Sequence, residues 1–165
     1  MDNCYICGCV RNTGRYLDKI FENIKILEKC FNSCYIIISL DKSDDNSYEI
    51  LQSYEKKYNK EILNKNTISS IIKIDQHNKG FSLLYNPDKE LGKYRTERIA
   101  VARNEILDEI IRLDKKDYKY MIMMDFDDVN GTYRINSEIL NKYLIRTDWD
   151  ALSFNRRSYY DTWAL

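Results

Sequence analysis

Apolar and polar positions alternate along this chain in blocks: short unbroken apolar runs are each followed by a longer stretch with apolar residues at every third or fourth position. Cys4 to Val10 is the first run. It is closed by Arg11, Asn12, Thr13 and Gly14, so it predicts a strand ending in a turn. Tyr16, Ile20, Ile24, Leu27 and Phe31 then fall on one stripe of a helix over about residues 15–31. Tyr35 to Leu40 is isoleucine-rich and apolar but for Ser39, the pattern of a parallel strand covered on both faces. After it, Ser43, Asp44 and Asp45 are candidate N-caps for a helix carrying Ile50, Leu51, Tyr54 and Tyr58.

The remaining pattern predicts a third strand at Ile68 to Asp75 and a long loop from Gln76 to Lys93, punctuated by Gly80, Pro87 and Gly92. Residues 94–113 read as the clearest helix, with Ile99, Ala102, Ile106, Ile110 and Leu113 on one stripe. Tyr120 to Met124 follows as a buried strand with Asp125 at its carboxyl end, then a short helix at Ser137 to Leu144 and a strand at Trp149 to Phe154. Strands alternating with helices imply an α/β fold of right-handed βαβ units on a mostly parallel sheet, Rossmann-like in kind. At 165 residues, one domain is expected.

Composition changes this picture little but excludes some functions. The 26 basic residues balance the 26 acidic ones, which argues against a nucleic-acid partner, whose phosphates call for a basic face. The chain lacks a signal-like N-terminus and any apolar run long enough to span a membrane, so a cytoplasmic location is expected. Five cysteines and no secretory signal predict reduced thiols. Cys4 and Cys7 have Cys-x-x-Cys spacing, but no second ligand pair follows, so they read as strand packing rather than a zinc site. His77 is the only histidine, which leaves little to build a histidine-based triad or metal site.

Candidate chemistry gathers where ligands bind in open α/β sheets, beyond the carboxyl ends of the strands. Arg11 follows the first strand, Asp41 and Ser43 the second, and Asp125, Asp127 and Asp128 the fourth. Three carboxylates within four residues repel unless they are solvated or a cation lies among them. A hard ion such as Mn²⁺ or Mg²⁺, held by one or two carboxylates and a ligand's phosphates, explains them. Arg95 and Arg98 lie in the first turns of the helix before this strand, which a crossover places near the same edge, within reach of a diphosphate. Arg103 is about 7 Å further along the axis than Arg98 and is expected to pair with an internal carboxylate.

Arg98-Ile-Ala-Val-Ala-Arg-Asn-Glu105, followed by Met-Ile-Met-Met-Asp-Phe-Asp-Asp, resembles the "Ala-Arg-Asn … Asp-x-Asp-Asp" pattern of GT-A glycosyltransferases of the family-2 type. It is similar also to the capsule-associated α-1,3-mannosyltransferases of fungi. The resemblance spans roughly residues 4–165, but only residues 95–130 are specific. It implies a GT-A nucleotide-sugar-binding domain that uses a UDP- or GDP-sugar donor with Mn²⁺ or Mg²⁺, and a glycan, protein or lipid acceptor. By the same resemblance Asp41 lies near the base, Asp125 at the ribose or metal, and Asp127 on the metal, while Arg98 and Asn104 border the nucleotide pocket. Helix geometry sets Asn104 away from the apolar stripe. The acceptor-binding half of such an enzyme is expected to be largely missing from this chain, and with it an identifiable catalytic base; Asp161 is the one late acidic residue to consider.

Two alternatives remain. Asp125-Phe126-Asp127-Asp128-Val129 is also similar to the nucleophile motif of haloacid-dehalogenase-type phosphatases, although that motif normally opens the chain and too few residues follow here for its later partners. A non-catalytic nucleotide- or metal-binding module is the other.

Overall fold

The computed structural model describes residues 2–68 and 79–153, with only the backbone of residues 61–68. It divides into two compact units, Met1–Ile135 and Asn136–Leu165. The first runs β1 (Asn3–Val10), α1 (Gly14–Glu28), β2 (Ser33–Leu40), α2 (Ser47–Ile68), β3 (Gly80–Leu84), α3 (Arg95–Leu113), β4 (Tyr118–Asp125) and α4 (Asp128–Thr132). The described strands form one all-parallel, Rossmann-like sheet in the order β3-β2-β1-β4. The chain steps outward from β1 through β2 to β3, then returns across the sheet to place β4 on the other side of β1. Right-handed crossovers therefore require α3 to cover the face opposite α1 and α2.

The packing agrees with that requirement. Tyr5, Cys7 and Ile37 point to one face and form a buried cluster with Ile106 of α3. On the other face Phe81, in register with Ile36, meets Phe21 of α1 and Tyr58 of α2. Ile20, Ile24 and Leu27 are buried along α1, and Ala102 and Ile106 along α3, as their spacing predicts, while Leu17 rather than Tyr16 is the buried side chain of the first turn of α1.

The loop reading of residues 76–93 and the last expected strand are corrected. The third strand lies at Gly80–Leu84, inside the stretch read as loop, and Ile68 is the last residue of α2. The rest of the expected strand, 69–75, lies outside the described residues. Gly80 is a packing glycine here, since a Cβ on it would stand 2.3 Å from the Tyr35 ring of β2. The described part of the expected strand at Trp149 to Phe154, residues 149–153, is irregular. In the second unit, α5 spans Ser137–Leu144 as expected, capped by Asn136, whose side chain accepts from the backbone N–H of Glu138 at 2.9 Å.

Candidate functional site at the carboxyl edge of the sheet

The strand order reverses between β1 and β4, and an open parallel sheet leaves its ligand crevice at such a switch point. Asp125 ends β4 there, in register with Cys9 of β1. Alternation along β4 then separates the acidic motif. Asp125 faces α3, where Arg103 Nη2 lies 3.8 Å from its Oδ1. Phe126 turns to the opposite face and is buried against Gly8, where even a Cβ would come within 2.2 Å of the ring. Asp127 becomes the N-cap of α4, its Oδ1 accepting from Val129 N–H at 2.9 Å, and Asp128 is exposed in the first turn. Among the described residues no three acidic, cysteine or histidine side chains gather as a metal cage. Asp125 and Asp127 are oxygen donors, the type a hard cation takes together with phosphates and water.

The turn after β4 is held by a residue that the sequence pattern did not single out. Asn23 is buried on α1, and its Nδ2 donates to the carbonyls of Asn130 at 2.7 Å and Tyr133 at 2.8 Å. Its Oδ1 accepts from Ile135 N–H at 3.0 Å. Asn130 in turn donates its side-chain amide to the Asp125 carbonyl at 2.7 Å. Removing a buried hydrogen-bond partner costs about 1–3 kcal/mol for each group left unpaired, so Asn23 matters to the shape of this edge. The available signal was a polar residue inside the apolar stripe of α1, between Ile20 and Ile24.

The second cluster centres on Asp41, which is 4% exposed. Its Oδ1 accepts from the backbone N–H groups of Lys42 at 2.9 Å and Leu91 at 3.3 Å. Its Oδ2 has no hydrogen-bond partner among the described residues and lies 3.7 Å from both Arg11 Nε and Arg98 Nη1. Arg98 is directed inward, with Nε donating to the Gly92 carbonyl and Nη2 lying 3.5 Å from Glu90. Residues from the ends of β1 and β2 and from the start of α3 thus meet, as the topology predicts. Arg95 and Asn104 are exposed on α3. Arg103 departs from expectation by pairing with the exposed Asp125 rather than with an internal carboxylate.

Ser43 belongs to a lock between two loops. Three successive backbone N–H groups at the start of α1 donate to side chains of the loop after β2 and of the first residue of α2: Asn12 to Ser43 at 3.0 Å, Thr13 to Ser47 at 3.0 Å, and Gly14 to Asp45 at 2.8 Å. Asn12, with φ of 52°, accepts in return from Asp44 N–H at 2.7 Å. A helix N-terminus after the first strand is where dinucleotide-binding folds hold a pyrophosphate. Here those donors are satisfied from within the protein.

The thiols are no rival site. Cys4 and Cys7 fall on opposite faces of β1, and burial pushes the Cys7 thiol up to about 12. Cys9 is half-buried and pushed up to about 11, mainly by burial, with Arg103 opposing and Asp125 and Glu105 assisting. A hollow of about 330 Å³ lies among Leu40, Leu84, Leu91, Glu105, Asp108 and Glu109. None of the predicted site residues lines it, although Leu40 precedes Asp41 and Leu91 N–H bonds to that carboxylate. His77 and Asp161 lie outside the described residues.

No family model, curated protein or solved structure matches this chain. No helix among the described residues is long and apolar enough to cross a membrane.

Proposed function

We propose that this chain is the nucleotide-sugar-binding part of a metal-dependent glycosyltransferase taking a UDP- or GDP-sugar. The observation that carries this reading is the position of Asp125-Phe126-Asp127 at the switch point between β1 and β4, while the phosphate-binding donors at the start of α1 are used by Ser43, Asp45 and Ser47. A diphosphate then has its counter-charge at the β4 end. Asp41 and Asp125 end strands two spacings apart, roughly 10 Å, a span that a nucleoside and its phosphates bridge.

In this reading Asp41, with Arg11 and Arg98 each 3.7 Å from its Oδ2, shapes the end of the crevice where the base lies. Asp125 and Asp127 would hold Mn²⁺ or Mg²⁺ with the diphosphate, and Asp128 would keep the surrounding potential negative. When bound, the ion supplies neutralisation of the leaving nucleoside diphosphate. Phe126 and Asn23 keep the acidic turn in place while ligands exchange. The glycan, protein or lipid acceptor would be bound by other elements.

A thermal-shift screen against UDP, GDP and their sugars, with and without Mn²⁺, tests the class. The expected result is a rise in melting temperature that needs both nucleotide and metal. Stabilisation by phosphate-mimicking fluorides, with none by nucleotides, would instead indicate phosphatase chemistry.

A further inference from the structure

We infer that the outer edge of β4 is a pairing surface for a second copy of this chain, joined antiparallel about a two-fold axis at Ile122, so that two sheets continue as one. This does not rest on the nucleotide-sugar reading. β3 and β4 are the outer strands of the described sheet, and they are finished differently. β3 has five residues, and Glu55 of α2 reaches its edge, where Oε1 accepts from Leu83 N–H at 3.1 Å. β4 has eight residues, no glycine or proline, and an uncharged run of Tyr-Met-Ile-Met-Met between Lys119 and Asp125. No other described strand pairs with it on the side away from β1, and Met121 is 47% exposed. A long apolar edge is a template for another strand unless a charge, a proline or a bulge interrupts it. Here the charges stand at its two ends, and the one register shift against β1 falls at Lys119.

Charge selects a second copy as the occupant. Antiparallel pairing of β4 with itself about Ile122 sets Met121 opposite the partner's Met123 and Lys119 opposite the partner's Asp125. Symmetry repeats the ion pair at the other end of the seam. Centred on Met121, the strands would instead set Asp125 against the partner's Asp117; centred on Met123, they would set it against the partner's Met121. Lys119 and Asp125 are 60% and 65% exposed, and their ion pairs within the chain, 3.5 Å to Asp2 and 3.8 Å to Arg103, are of the weak surface kind. Both side chains are therefore available to the partner strand without disturbing the core.

Sedimentation equilibrium of the full chain, with hydrogen exchange read at the β4 amides, tests this. The parent is expected to form dimers as concentration rises, with protection of Met121–Met124 rising alongside. Lys119→Glu and Asp125→Lys each turn two attractive pairs into two repulsive ones and are expected to weaken dimerisation about ten-fold. The double variant Lys119→Glu/Asp125→Lys should return to near the parent value, which a merely structural role for either residue would not produce. Melting curves of the three variants check that each is folded. A parent that stays monomeric overturns the inference, whether its β4 amides exchange freely or are covered by the chain itself. A dimer that both single reversals leave intact overturns it as well, because another surface then holds the copies together.

Discussion

Asp41 and its two arginines show how burial grades similar contacts. Both guanidinium groups stand 3.7 Å from Oδ2, but Arg98 is 14% exposed and Arg11 43%. An exposed partner adds little, whereas loss of a buried one leaves a carboxylate desolvated and undercompensated. Arg98→Ala should therefore destabilise the fold by about 3 kcal/mol, and Arg11→Ala by less than about 1 kcal/mol, in urea denaturation. Equal costs would show that the two contacts are equivalent. Residue type and position made this cluster legible in the sequence, because Arg11, Asp41 and Arg98 follow or precede recognisable elements. The partner of Arg103 was not legible, since it depends on the register of β4 against β1.

At the scale of elements, the lock between the loops after β1 and β2 replaces a bound anion with side chains. Burial works to raise the Asp45 carboxyl, but hydrogen bonds from the Ser47 side chain and from the backbone N–H groups of Gly14 and Ser47 outweigh it. Its folded value therefore lies below the ordinary 3.8. The resulting stability is fully present above the unfolded value and is lost as pH falls through the lower folded one. Asp45→Ala should be less stable than the parent at neutral pH, and the gap should narrow as pH falls below the ordinary carboxylate range, as measured by chemical denaturation at each pH. A gap that persists in acid would place the effect elsewhere. Ser43, Asp44 and Asp45 were readable as cap residues, yet their partners at the start of α1 come from another element. β3 was missed for a related reason: Gly-Phe-Ser-Leu-Leu is short, and its glycine is required by Tyr35 of the neighbouring strand.

For the molecule as a whole, the alternation of apolar runs and stripes was enough for the α/β class, because strands covered on both faces leave largely apolar runs such as Tyr35 to Leu40. Strand order was not readable, and it decides which carboxyl ends border the switch point. That order places Asp125 beside β1, and strand alternation sends Asp125 and Phe126 to opposite faces, so the motif is not a ready cage of three carboxylates.

Asp127 carries the most direct test, because asparagine caps a helix as well as aspartate does and the substitution leaves α4 its cap while removing the charge. Calorimetric titration of the parent and Asp127→Asn with UDP and GDP, each with and without Mn²⁺, reads the effect of removing that charge. The account predicts Mn²⁺-dependent nucleotide binding in the parent and its loss in an Asp127→Asn variant that remains folded. Equal Mn²⁺-dependent binding by both proteins, or none by the parent, would contradict it.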